Sequence, residues 1–143
     1  MNKDDIAIYK SVQKNTEMAM KAIETIEPKV YENELALLLE KTNRQYADIH
    51  EKAVSGLQEA KIEPKKAGGL EQMMLVGGIT GNTLFNTSTS HIAELMIKGS
   101  NMGILDLTKA LNHNPNGGEK SMELANELMH MENRNLEEYK KYL

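Results

Sequence analysis

The 143-residue chain has no cysteine, no tryptophan and a single phenylalanine. The absence of cysteine excludes disulfide bonds, thiolate catalysis and metal sites built on cysteine sulfur. Because aromatic side chains are so few, the core must consist mainly of leucine, isoleucine, alanine and methionine. That composition suits packed helices better than a β-sandwich, so the sequence favours an all-α protein.

Long apolar runs are missing as well. No stretch approaches the ~20 apolar residues that a membrane-spanning helix needs. The first residues, Met1-Asn2-Lys3-Asp4-Asp5, lack the apolar region of a signal peptide. We therefore expect a cytoplasmic protein that has no membrane partner.

Positive charge is scarce, and the formal net charge is -4. The one basic cluster consists of Lys61, Lys65 and Lys66, and Glu63 interrupts it. Proteins that bind nucleic acids usually present a basic stripe to the phosphates. The sequence therefore predicts no nucleic-acid partner.

Three prolines, Pro28, Pro64 and Pro115, divide the chain into four segments. Proline is disfavoured inside a helix because it removes a hydrogen bond and clashes with the preceding turn. Apolar residues recur at helical spacing in every segment. The predicted helices cover residues 4–26, 29–60, 70–112 and 119–142. With short connections, they predict one domain, residues 1–143, folded as an up-down-up-down four-helix bundle.

The third predicted helix is long and contains weak points. Gly77, Gly78 and Gly81 each cost about 0.8–1.0 kcal/mol relative to alanine in a helix interior. The polar run over residues 86–90 follows them. The alternatives are a single helix with a kink at this place and two helices separated by a break.

An E-x-x-H motif, Glu127 to His130, lies in the fourth segment. Bundles that hold two metal ions use two such motifs, and all of the ligands point inward. On a helical wheel, however, Glu127 and His130 lie opposite the apolar arc. The second segment carries Asn43 three residues after Glu40, where a second motif would need histidine. We therefore interpret Glu127 and His130 as residues of a solvated face.

Two other polar residues, His91 and Glu132, lie on the apolar stripes of their helices. A buried carboxylate without a partner is strongly disfavoured, so we expect these two side chains to pair, with Tyr46 or Thr16 completing the hydrogen bonds. The structural interpretation is a polar pair that fixes the helix register. The alternative is a small site for iron, manganese or zinc. Its candidate ligands are His91, Glu132, Glu94 and His50.

The stretch from Ile92 to Leu107 is apolar on nearly all sides, which is typical of a helix covered on more than one face. Its small residues would allow another backbone to approach closely. We expect a two-fold homodimer through this helix, although a kinked third segment folded against itself is an alternative. The predicted interface residues are Ile97, Gly99, Ser100, Gly103 and Ile104.

Three stretches resemble small uncharacterised ferritin-like proteins of Gram-positive bacteria. These stretches cover residues 14–23, 88–104 and 132–143. The most distinctive block runs from His91 to Gly103. The resemblance implies a ferritin-like four-helix bundle, but it implies no particular reaction. It does not imply iron either, because the second E-x-x-H motif is missing and the middle of the apolar stripe of the first helix carries Thr16 in place of a glutamate.

Two functions follow as expectations. The first is a non-enzymatic structural or protein-interaction bundle, without a cofactor, that associates with itself through the third helix. The alternative is a metal-binding or redox protein with a small His/Glu site in its core. The four histidines offer no triad-like arrangement with a nucleophile.

Overall fold

The computed structural model describes residues 1–63, 79–80, 83–84 and 86–143. Within these residues, four α-helices account for most of the chain. Their bounds are Lys3–Ile26 (α1), Asn33–Glu59 (α2), Thr89–His113 (α3) and Glu119–Lys140 (α4). A short 3-10 helix, Glu27–Lys29, follows α1 and contains Pro28. Two antiparallel two-residue strands, Ile79–Thr80 (β1) and Thr83–Leu84 (β2), precede α3.

The sequence predicted α1, α2 and α4 to within a few residues, but it placed the start of the third helix near residue 70. The structure shows instead that α3 begins at Thr89 and that β1 and β2 pair upstream of it. The polar run at residues 86–90 explains the difference, because Ser88 caps α3 by accepting a hydrogen bond from the His91 amide at 3.3 Å. Residues 70–78, 81, 82 and 85 of the predicted helix lie outside the described residues, and so do the predicted weak points Gly77, Gly78 and Gly81.

Side chains define the beginnings of the first two helices. Asn2 and Asp5 form a capping box at the start of α1. The Glu32 carboxylate accepts hydrogen bonds from the Glu34 and Leu35 amides, each at 3.0 Å, at the start of α2. At its other end, α2 closes with a Schellman motif, in which Lys61 adopts a positive φ of 59°.

The beginning of α4 is capped by a residue from another helix. Gly118 occupies the N-cap position and offers no side chain. Asp5 of α1 takes over this role, because its Oδ1 accepts hydrogen bonds from the Gly118 amide and the Ser121 hydroxyl, both at 2.6 Å. The same carboxylate therefore belongs to the caps of two helices and ties the start of α1 to the start of α4.

Contacts along α2 and α4 show that these two helices are antiparallel. Thr42, early in α2, hydrogen-bonds to Tyr139 near the end of α4, whereas Lys52, later in α2, pairs with Glu127 earlier in α4. The α1–α2 pair is antiparallel too, since Tyr9 packs against Gly56 and Glu17 lies 4.0 Å from His50. Thus α1 and α4 run in the same direction.

The short connection between α3 and α4 makes them antiparallel neighbours, with Ser100 beside Glu132. It follows that α2 and α3 run in the same direction. The predicted up-down-up-down order is therefore wrong, and the order is up, down, down, up. The prediction failed because it extended the third helix back to residue 70, so that a short loop followed the second helix, whereas α3 begins only at Thr89.

The buried apolar side chains of the described residues form one core between the four helices. Its largest fully buried side chains include Tyr139, Ile8, Leu39 and Leu128. As the composition predicts, aliphatic residues form most of this core. No helix in the described parts of the chain is long and apolar enough to cross a membrane.

We expect Asp5→Ala to lower the free energy of unfolding by about 0.5–2 kcal/mol, because the variant loses a helix cap. The hydrogen bond from Ser121 and the amides of Asn2 and Gly118 lower the pKa of Asp5. The contribution of Asp5 to the unfolding free energy is therefore complete above the ordinary aspartate pKa near 4. It is lost as the pH falls below that value and through the lower pKa of Asp5 in the folded protein. Urea unfolding at pH 7 and pH 3 measures both effects.

A suitable control is Asp106→Ala, which removes a carboxylate from the middle of α3. This variant should change the unfolding free energy by no more than about 0.5 kcal/mol. An equal loss of unfolding free energy in the two variants would contradict the capping role. So would a difference in unfolding free energy between Asp5→Ala and the original protein that is as large at pH 3 as at pH 7.

Candidate functional site

A buried carboxyl, Glu132, lies in the middle of α4 and is only 3% exposed. Its Oε1 accepts hydrogen bonds from the Tyr46 hydroxyl of α2 and, at 3.5 Å, from the Ser100 hydroxyl of α3. Three helices thus supply the groups that meet at this point. The sequence correctly placed Glu132 on an inward face and named Tyr46 as one of its partners.

The small residues of α3 make room for this carboxyl. A Cβ added to Gly103 would overlap the Glu132 Oε2 atom. Ser100 lies one turn earlier on the same face and is 1% exposed. The serine and the glycine therefore allow the carboxyl to fit between α3 and α4, which is a role that the sequence analysis missed. The sequence signal for this role was the three-residue spacing of two small residues on α3, the helix that precedes α4.

Burial raises the pKa of Glu132 to about 8, although the hydrogen bonds from Tyr46 and Ser100 act in the opposite direction. Burial also raises the pKa of Tyr46 well above its ordinary value, and the nearby Glu132 adds to this effect. At neutral pH, Glu132 therefore holds its proton in most molecules. The cluster is chemically a neutral carboxylic acid next to a neutral phenol.

A second polar layer joins α2 to α4 beside this cluster. The hydroxyls of Thr42 and Tyr139 lie 2.7 Å apart and share a hydrogen bond, and Asn135 Nδ2 donates to Gln45 Oε1 at 3.3 Å. Burial raises the pKa of Tyr139, so this phenol also stays neutral. The polar interior consists largely of uncharged groups that bond to one another.

Neither His91 nor Thr16 belongs to the cluster. His91 lies in the first turn of α3, where its Nδ1 is 3.7 Å from Glu94 Oε2, and Thr16 bonds to the Val12 carbonyl of its own helix at 2.8 Å. The predicted pairing of His91 with Glu132 is wrong. Because α3 starts at Thr89, His91 lies near one end of the helix, about 14 Å along the axis from Ser100.

The four candidate metal ligands lie at three separate places. His91 and Glu94 are neighbours on α3, whereas His50 on α2 faces Glu17, with Nε2 4.0 Å from Oε2. Glu132 is inside. In the described parts of the chain, no three side chains of histidine, cysteine, aspartate or glutamate are close enough to hold a metal ion together. The proposed set of four is therefore not one site.

The E-x-x-H motif faces solvent, as the helical wheel predicts. Glu127 and His130 are both exposed, and Glu127 pairs with Lys52 of α2 at 3.2 Å. Glu127 thus joins α2 and α4 at the surface by an ion pair, and neither residue of the motif points into the core.

The predicted interface residues of α3 divide into two groups. Ser100 and Gly103 face Glu132 inside the protein, so they are not available to a second subunit. Ile97 is partly buried and packs against the core. Ile104 is also partly buried, and a Cβ on Gly99 would find no atom within 4 Å.

The large apolar side chains that α3 does expose were not among the predicted interface residues. Met102 is 36% exposed and Leu105 is 55% exposed. They lie on the side of α3 that faces away from the core, and we call them, together with Gly99, the outer face of α3. Of the five predicted interface residues, Ser100 and Gly103 contact or make room for the buried carboxyl of Glu132 instead.

Comparison with known proteins adds fold information alone. No protein-family model matches the sequence, and no curated protein gives a significant sequence match. The structure is similar to the crystal structure of a conserved hypothetical protein, rv2844, from Mycobacterium tuberculosis. The TM-score is 0.76 at 11% sequence identity, and the match covers 100% of this chain and 99% of that one.

We expect Glu132→Gln to remove a pH dependence of stability. In the folded protein the pKa of Glu132 is raised, so its favourable contribution is present below the unfolded-state pKa near 4.3 and is lost as the pH rises through about 8. Between pH 4 and pH 9, the original protein should lose about 5 kcal/mol of unfolding free energy relative to the variant. Urea unfolding at several pH values measures this difference.

Glu137→Gln provides the control, because Glu137 lies on the exposed face of the same helix. Its stability should follow that of the original protein to within about 0.5 kcal/mol at each pH. Parallel pH profiles for all three proteins would show that Glu132 is not a buried acid with a raised pKa.

Proposed function

We propose that this protein is a non-enzymatic, ferritin-like four-helix bundle that acts as a structural or protein-interaction module and associates with itself through α3. The helix order supports the ferritin-like part of this proposal. A bundle whose second and third helices run in the same direction needs one crossover connection, and ferritin-like folds have one such connection.

The interior supports a non-enzymatic role. Ferritin-like metal proteins fill the centre of the bundle with carboxylates and histidines. Here the corresponding space holds Glu132 with Tyr46 and Ser100, next to the Thr42–Tyr139 pair. These groups satisfy one another, and the carboxyl is neutral at physiological pH. Such an arrangement fixes the relative heights of the helices, as buried polar groups do in some bundles.

The observation that carries self-association is the exposed apolar surface on the outer face of α3. Leu105 and Met102 lie within one turn of each other, and Gly99 leaves open space one turn before Met102. A second copy related by a two-fold axis would bring the same residues together from both chains. A stable dimer needs about 800 Å² from each partner, so neighbouring surface must contribute too.

Leu105→Lys tests this interface. We expect the substitution to shift the protein from dimer to monomer in sedimentation velocity at micromolar concentration, because a lysine would be buried without a partner. Leu37→Lys is the matched control, since Leu37 is 65% exposed on α2 and should leave the dimer intact. A monomeric original protein, or a dimer that survives Leu105→Lys, would disprove the proposal.

Metal binding or redox chemistry is the alternative function, and Glu132 is the observation that favours it. This residue places a carboxyl in the interior of a bundle, where ferritin-like proteins hold their ligands. The protonated state of Glu132 at pH 7 argues against metal binding, because a metal ion binds the carboxylate and would have to displace the proton.

Elemental analysis separates the two functions. In protein purified without added metal or chelator, we expect less than about 0.1 equivalents of iron, manganese or zinc per chain, because isolated ligands bind these ions weakly. Glu132→Gln should give the same result. One or more equivalents in the original protein, lost in the Glu132→Gln variant, would support the metal-binding alternative.

A further inference from the structure

A groove of about 460 Å³ lies between the later part of α2 and the earlier part of α4, with Tyr9 of α1 in its lining. Two lysines and five carboxylates line it, so negative charge is in excess. The carboxylates are Asp48, Glu51 and Glu59 from α2 and Glu123 and Glu127 from α4. No described residue of α3 contributes to it, so the groove is separate from the outer face of α3.

One lysine shows how an ammonium group fits in this groove. Lys52 Nζ lies 3.4 Å from Asp48 Oδ2 and 3.2 Å from Glu127 Oε1, so it bridges α2 and α4. The carboxylates of Glu51, Glu59 and Glu123 make no such ion pair with the described residues. Positions for further ammonium groups therefore remain along the same groove.

The phenol of Tyr9 provides an independent observation. Tyr9 is 6% exposed, and its hydroxyl forms no hydrogen bond with a described residue. Tyr9 lines the groove together with Glu59. Burial raises the pKa of Tyr9, and the nearby carboxylate of Glu59 raises it further, so the phenol lies close to a carboxylate of the groove. The ring reaches this position because Gly56 has no side chain, since a Cβ there would lie 2.6 Å from Tyr9 Cζ.

The distribution of the carboxylates indicates the kind of cation. In the described parts of the chain, no three acidic or histidine side chains converge on one point, which argues against a compact metal ion here. Glu51 and Glu59 are two turns apart on α2, or about 12 Å along the axis. The apolar ring of Tyr9 and the side chain of Leu124 also line the groove. Charges spread along a partly apolar groove match a chain of methylenes that carries several ammonium groups.

We propose that this groove binds a linear polyamine. Its ammonium groups contact Glu51, Glu59 and Glu123, and one of them donates a hydrogen bond to the Tyr9 hydroxyl oxygen. Its methylenes lie over the Tyr9 ring and Leu124. An ammonium near an aromatic face gains a further attraction from the ring. Lys52 competes with the ligand for Asp48 and Glu127.

Isothermal titration calorimetry of the full chain with spermidine at low ionic strength tests this site. We expect one site per chain, with an affinity that falls as salt is added. The double variant Glu59→Gln with Glu123→Gln should bind about three- to thirtyfold more weakly. Tyr9→Phe keeps the ring but loses the hydroxyl, so its affinity should fall about two- to tenfold.

Matched controls distinguish a built site from general attraction to an acidic protein. Glu24→Gln with Glu34→Gln removes the same charge from exposed positions outside the groove and should leave the affinity within about twofold. Circular dichroism and thermal melts confirm that each variant is folded. No measurable binding of spermidine at millimolar concentration, or equal losses in the two double variants, would overturn the proposal.

Two further titrations test the ligand class. Mg²⁺ carries charge without methylenes and should bind at least tenfold more weakly than spermidine. An affinity equal to that of spermidine would overturn the proposal. A lysine-rich peptide presents the same ammonium chemistry from a protein. If it bound more tightly than spermidine, the groove would be a docking site for a basic segment and the polyamine proposal would be wrong.

Discussion

The burial of one carboxyl at a place where three helices meet is the constraint on which the arrangement of this protein depends. Glu132 of α4 requires the Tyr46 hydroxyl from α2 and the Ser100 hydroxyl from α3, and it requires glycine at position 103 for space. A shift of any of these helices by one turn would leave a polar group unpaired inside the protein, at a cost of several kcal/mol. The carboxyl is tolerated because it remains protonated.

Sequence patterns predicted most of the helices because local signals define them. Caps, prolines and apolar spacing place α1, α2 and α4 correctly. The same signals could not give the direction of α3, because a helix wheel is the same for either direction of the chain. The predicted direction depended on where α3 begins. Ser88 caps that helix, but it lies in a polar run in which several residues could serve as a cap. Moving this start from residue 70 to residue 89 changed an up-down-up-down bundle into one with two neighbouring helices in the same direction.

The candidate site was predicted in part. The inward position of Glu132 follows from its place on an apolar arc, and Tyr46 was a possible partner at similar height. His91 failed because its height depends on the start of α3. Ser100 and Gly103 were predicted to lie in a subunit interface. Small residues let another group come close to the helix, but the sequence does not show whether that group is a second subunit or a side chain of the same chain. The Asp5 cap and the Tyr9 groove depend on contacts between residues far apart in the chain, and no local pattern reveals them.

The hydrogen bonds that Asp5 accepts from Gly118 and Ser121 also have a consequence for the order of folding. The first helix is synthesised before α4, so the Asp5 carboxylate is already in place when the start of α4 donates its hydrogen bonds to it. An isolated α4 would begin with an uncapped glycine, so its first turn should be frayed until it docks on α1. The fourth helix would then gain its full helicity together with its tertiary contacts, so α1 and α4 would join in one cooperative step.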